Sequence, residues 1–190
     1  EAIIAVDKTI DYINNKNTGT WKRTACFVAD DAAGDDNNGF MTQACDLADL
    51  VHATNPIMRA ERILADAYKR ESSATGHSYP QATKRLLQLF EQGMLLVNYT
   101  GHSGTTSRFD AAETTAGELA FLNSKGGAIA MVSASRVVYD NPNDRLNNAF
   151  VTNLFTPQEG KRLRLGDVIR LSKNSVKSDN GNKLNFNLMG

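Results

Sequence analysis

Three short, nearly unbroken apolar runs set the terms for how this chain can fold: RTACFVAD (residues 23–30), MLLVNYTG (94–101) and AIAMVSAS (128–135). Each is too brief for a helix and ends abruptly in polar or glycine-rich sequence. Runs of this kind are strands buried on both faces, as in a parallel sheet covered by helices. AERILADAY (60–68) reads as a further strand. The segments between them carry a helical period. Ile3, Val6, Ile10 and Ile13 share one face of a helix over 2–14, and Met41, Ala44, Leu47, Ala48 and Val51 repeat at three and four. Pro80 suits the first turn of a helix carrying Ala82, Leu86, Leu87 and Phe90, which Gly93 ends. Helices are also expected over 114–123, 144–154 and from 165 to about 172. DDAAGDDNNG (30–39) is a loop on composition, and ESSATGHSYP (71–80) a long polar connection. Strands that alternate with helices in this way predict an α/β sandwich with a mainly parallel sheet.

The 190 residues fit one domain with a sizeable core. Lys and Arg together number 21, as do Asp and Glu, so a chain of zero formal charge offers no electrostatic case for nucleic acid. No apolar stretch is long enough to cross a bilayer. Glu1 enters amphipathic sequence with neither a signal peptide nor a helix cap before it, and FNLM (186–189) reads as a strand still in progress, so both ends read as cut ends. The two cysteines, Cys26 and Cys45, make neither a disulfide framework nor a zinc spacing.

In open α/β sheets, sites gather beyond the carboxyl ends of the strands. Three stretches qualify: Asp30-Asp31, Gly101-His102-Ser103-Gly104 and Ser133-Ala134-Ser135-Arg136. His102 stands between glycines that permit close approach of backbone or ligand, and its imidazole suits proton transfer near neutral pH. The alternative is a turn histidine bonded to backbone. His52, at a helix end, and His77, in a polar loop, suit surface roles. Asp30, Asp31, Asp35 and Asp36 share one loop. They could orient a histidine, form a plain solvated loop, or supply the oxygen ligands of a structural calcium ion, although the spacing is not that of an EF-hand. A nucleophile is harder to find. Cys26 lies inside a strand and Cys45 inside a helix, both as small hydrophobes. Ser103 is adjacent to His102 and points away from it on an extended chain. Ser133 and Ser135 remain open as serine nucleophiles, without a Gly-x-Ser-x-Gly elbow.

LLVNYTGH (95–102), followed by Ser103-Gly104, resembles the NYTGHG signature of the gingipain-like cysteine peptidases. Four blocks match successive segments of the sortase-type members that serve the type IX secretion system. They are FVADDAAGDDNNGFMTQACDLADLV (27–51), AYKRESSATGHSYPQATKRLLQLFEQGMLLVNYTGH (67–102), SRFDAAETTAGELAFLNSKGGAIAMVSASRVVY (107–139) and KLNFNLMG (183–190). The resemblance spans essentially the whole chain. It implies a caspase-like α/β/α sandwich and a Cys–His pair whose histidine is His102. The family's cysteine follows on the next strand, in a segment resembling ATCEF just ahead of SRFD. Here only Thr105 and Thr106 separate Gly104 from Ser107, so a block containing that strand and cysteine is missing between about 104 and 107. Ser103 also stands where the family has glycine. Either an active-site segment is left out of this sequence, or the deletion is genuine and the copy is inactive. The first is favoured, because losing a central strand would leave backbone groups unpaired.

The resemblance further implies an acid in the loop after the first strand, with Asp31 the first choice and Asp30 the second, and an oxyanion-binding amide at or near Gly104. It implies no required cofactor. Its substrates would be secreted proteins with C-terminal sorting domains, its acceptors water or a surface glycolipid amine, and its partners the other outer-membrane components of that system, at the bacterial cell surface.

Overall fold

In the computed structural model, the residues described are 2–32, 38–73, 76–102, 120–124, 126–136, 138–177 and 181–190. The chain divides into two compact units, Gly19–Ser103 and Glu1–Thr18 with Gly104–Gly190.

The first unit is built on three parallel strands, β1 (Thr24–Ala29), β2 (Arg59–Leu64) and β5 (Leu96–Thr100), in the order β2-β1-β5. The first of the runs expected as buried strands is the central one. Ala25, Cys26, Phe27 and Ala29 are buried, as a strand covered on both faces requires. Helix α2 (Gly39–Thr54) packs on all three strands through Phe40, Ala44, Leu47, Ala48 and Val51, which are all buried. Side chains alternate along a strand, so Cys26 and Val28 point the other way. There they join Ile63 with Ala82 and Leu89 of helix α3 (Pro80–Gln92) in a second apolar layer. Helix, sheet and helix form the α/β/α sandwich expected of a caspase-like fold.

Pro80 lies in the first turn of α3, where its missing N–H costs nothing. Gly93 ends the helix at φ 83°, and a Cβ there would stand 3.0 Å from Trp21 Cβ, so both backbone angle and space call for glycine. Two expectations need correction. The second strand ends at Leu64, because Ala65–Ala67 tighten into a 3-10 turn. The polar connection after it holds a small hairpin, β3 (Glu71–Ser73) against β4 (Gly76–Ser78). Hydroxyl, charge and glycine hid the strand pattern there.

The second unit contains helix α1 (Ala2–Ile13), whose Ile3, Val6, Ile10 and Ile13 form the expected stripe but are exposed. Lys8 donates from its ammonium to the carbonyl of Phe121, within the helical residues 120–122, and to those of Gly126 and Ala128 beyond them. The rest of the helix expected over 114–123 lies outside the described residues. Helices α4 (Asp140–Phe155) and α5 (Leu165–Ser175) pack together around Leu146, Val151, Phe155, Val168 and Ile169. Buried Asn182, in the short helix α6 (Asn182–Asn185), accepts from Tyr139 N and donates to Tyr139 O and Asn143 Oδ1. The run expected as a fourth parallel strand is β6 (Met131–Ala134). It pairs antiparallel with β7 (Phe186–Met189), from Met131 opposite Met189 to Ala134 opposite Phe186.

Leu47 is wholly buried between α2 and the sheet. Leu47→Ala should cost about 2–5 kcal/mol, read as a lower urea midpoint with an unchanged slope.

Candidate active site

Strand register places the acids beside the histidine. Ala29 is the partner of both Leu64 and Thr100, so the carboxyl ends of three parallel neighbours lie level. The ladder runs one bond further, from Asp30 N to Thr100 O at 3.0 Å. Past the ends come Asp30 and Asp31 from β1, Asp66 from β2, and Gly101-His102 from β5.

The acid on the ring is Asp30. Its Oδ2 lies 3.2 Å from His102 Nδ1 and accepts the His102 backbone N–H at the same distance. Its Oδ1 accepts from Asp31 N at 3.0 Å. With Nδ1 on the carboxylate, Nε2 is the nitrogen left for proton transfer. The imidazole is 58% exposed, and Phe40 at the start of α2 meets it edge-on, with centroids 4.9 Å apart and an interplanar angle of 89°. Exposure lets a substrate reach the ring, while the carboxylate and Phe40 restrict its rotation.

Asp31, the first choice from sequence, is engaged elsewhere. Its Oδ2 accepts the phenol proton of Tyr79 at 2.7 Å. The same phenol lies 3.3 Å from Asp66 Oδ1, and Asp66 Oδ2 accepts Ala32 N at 3.2 Å. Burial, then the hydrogen bond and charge of Asp31, raises the pKa of Tyr79 far above that of a free phenol. Tyr99 donates to the His102 carbonyl at 2.9 Å. Although Tyr99 as a whole is half exposed, its phenol is pushed up to about 12, first by desolvation and then by the Asp30 charge beside it.

These tyrosines were missed in the sequence, although Tyr99 sits inside the quoted motif. Val28 pairs with Tyr99 across the sheet, which puts both on one face, and two residues further on Asp30 and Gly101 follow them there. A Cβ on Gly101 would lie 2.5 Å from Asp30 Cβ and from Tyr99 Oη. The glycine before His102 is therefore an absence of side chain that lets carboxylate and phenol close over the backbone.

The remaining candidates lie as follows. Gly104, Ser103, Asp35 and Asp36 fall outside the described residues, and among the described residues no three His, Cys, Asp or Glu side chains are grouped to hold a metal ion. Cys26 is wholly buried, and its thiol is raised to about 11 by burial and by Glu61, against the opposing charge of Arg85. Cys45 is a free, half-buried thiol on α2. His77 Nδ1 meets Ser72 Oγ at 2.9 Å across the hairpin, and His52 is exposed near the end of α2. Ser133 lies in β6, while Ser135 Oγ donates to Asn185 O and accepts from Asn187 Nδ2.

A histidine paired with a carboxylate past the ends of a parallel sheet is an arrangement capable of acid–base chemistry. The family model for peptidase family C25 matches the chain over residues 1–107 and 105–190. The chain belongs to this gingipain family of cysteine peptidases. No curated protein and no solved structure matches it.

Two measurements follow from the site's chemistry. Cys26 should resist iodoacetamide at pH 8 in the folded protein and react once urea exposes it, as peptide mass spectrometry would record. Tyr99 ionises later when folded than the ordinary phenol of the unfolded chain, so the native state holds the extra proton between about pH 10 and 12. Stability is fully present below that window and falls as pH rises through it. Tyr99→Phe should flatten the decline in urea titrations across the window.

Proposed function

We propose that this chain is the peptidase domain of a PorU-like sortase, a cysteine endopeptidase of the type IX secretion system whose nucleophilic cysteine lies in a segment this sequence lacks. The observation that carries the reading is the His102–Asp30 pair at the carboxyl edge of the sheet, in a chain of peptidase family C25. Two facts support a missing segment. The family match comes in two parts that meet at residues 105–107, the pattern expected of a chain without an internal block of the family. In addition, β5 is an edge of its sheet among the described residues, with Val97 and Tyr99 exposed along it. An apolar strand edge of this kind is ordinarily covered by another strand.

In this mechanism His102 Nε2 takes the thiol proton. The thiolate attacks the peptide carbonyl and, on collapse of the tetrahedral adduct, the leaving amine departs with the proton held by His102. The acyl-enzyme is then released by water or by the amine of a surface glycolipid, and His102 accepts that nucleophile's proton. Asp30 fixes the Nδ1–H tautomer, a role the sequence reading gave to Asp31. An amide at or near Gly104 stabilises the oxyanion. No cofactor is needed for these steps. The substrates are secreted proteins carrying C-terminal sorting domains, the partners are outer-membrane components of the same system, and the place is the bacterial cell surface. A structural calcium ion on the 30–36 loop is a separate proposal, which calorimetry without heat at millimolar calcium would remove.

The test is the complete reading frame. A cysteine in the segment between 104 and 107 should label with an acyloxymethyl-ketone probe. His102→Ala should then slow cleavage of a sorting-domain substrate by about 10²–10⁴-fold. A complete frame without that cysteine ends the peptidase reading and leaves a catalytically inactive domain serving as a structural part of a secretion complex.

A further inference from the structure

The phenol of Tyr79 ties together two loops that have no sequence reason to meet. It reaches Asp31, in the loop after β1, and Asp66, in the turn after β2. Two carboxylates from neighbouring strand ends thus face one proton. Without it, like charges would push the loops apart. Asp66 holds the same loop a second time through Ala32 N. The backbone N–H of Asp31 in turn grips Asp30 Oδ1, while Asp30 Oδ2 carries the His102 ring and backbone. The hydrogen bonds run without a gap from the residue preceding α3 to the imidazole.

We propose that Tyr79 is a positioning residue for His102: its phenol bridges Asp31 and Asp66, and so holds Asp30 at the distance that keeps the proton on Nδ1. The inference takes its catalytic meaning from the peptidase reading above, but its geometry can be tested without turnover. Tyr79 acts on the ring through Asp31 and Asp30. Burial and the two acids outweigh the opposing Arg70 charge and keep the phenol protonated. The phenol therefore keeps the proton that the bridge uses across the physiological range.

The bridge predicts a rescue that simple packing would not. Tyr79→Phe keeps the ring in its apolar layer with Cys26 and Ile63 but removes the shared proton. Nitrogen-15 NMR of the imidazole should then show the ratio of Nδ1–H to Nε2–H tautomer falling about threefold, the scale of one lost net hydrogen bond. Adding Asp66→Asn should restore the ratio, because an amide can donate to Asp31 while still accepting from Ala32. Asp66→Ala alone approaches the loop from the other side and should lower the ratio as well, so the idea remains testable if Tyr79→Phe does not fold. In the complete protein, Tyr79→Phe should lower kcat with little change in KM, and the double variant should recover it. An unchanged tautomer ratio in both folded single variants, or a fall that Asp66→Asn does not reverse, overturns the proposal. A tautomer that responds as expected in a complete protein with no peptidase activity would sink the enzyme reading and leave this one standing.

Discussion

The pairing of β1 with β5 is the constraint on which the site depends. Because Ala29 and Thr100 are partners, the residues after them emerge side by side, and Asp30 can reach both the ring and the backbone of His102. A slip of one residue would turn Asp30 to the other face and separate the pair. Register is costly to change here, since the central strand is buried between α2 and α3 and every shift would expose apolar side chains. The same burial that stabilises the sheet therefore sets the distance between base and carboxylate, and no separate device is needed to bring them together.

Gly101 shows how tightly local geometry is specified. A turn glycine is usually explained by a left-handed backbone, yet here the reason is space. Tyr99 folds back over Gly101 to reach the His102 carbonyl, and Asp30 closes from the adjacent strand. Any side chain would drive phenol and carboxylate apart. The motif Asn-Tyr-Thr-Gly-His is thus a packing arrangement: the tyrosine holds the histidine's carbonyl, and the glycine is the room between them.

What the sequence revealed and what it hid follow from where the information sits. Continuous apolar runs and three-four periodicity are local, so β1, α2, α3 and β5 were legible nearly to the residue. The hairpin over 71–78 was not, because its strands carry no apolar face. The antiparallel partnership of β6 with β7 depends on residues more than fifty positions apart, and no local pattern carries it. Choosing between Asp30 and Asp31 failed for a related reason. Alternation carries one residue past the strand to Asp30, but nothing local says which partner reaches either acid. The deciding contacts come from His102 and Tyr79, distant in sequence and brought in by register.

Distributing the chemistry over strand ends has a structural consequence. The carboxylate comes from one strand, the imidazole from its neighbour, and the thiolate of a C25 peptidase from a third position in sequence. Each group is held by its own strand's pairing, so losing one segment removes one role and leaves the rest in place. In this chain the first unit holds the His102–Asp30 pair, with Tyr99 on the His102 carbonyl and Tyr79 on Asp31, while the two cysteines are one sealed in the sheet and one half-buried on α2. An exposed imidazole with one nitrogen on a carboxylate and a phenylalanine edge-on is more order than a surface turn requires. The acid–base role proposed for His102 would call for that order, which is built entirely from residues that precede the point where the family match divides.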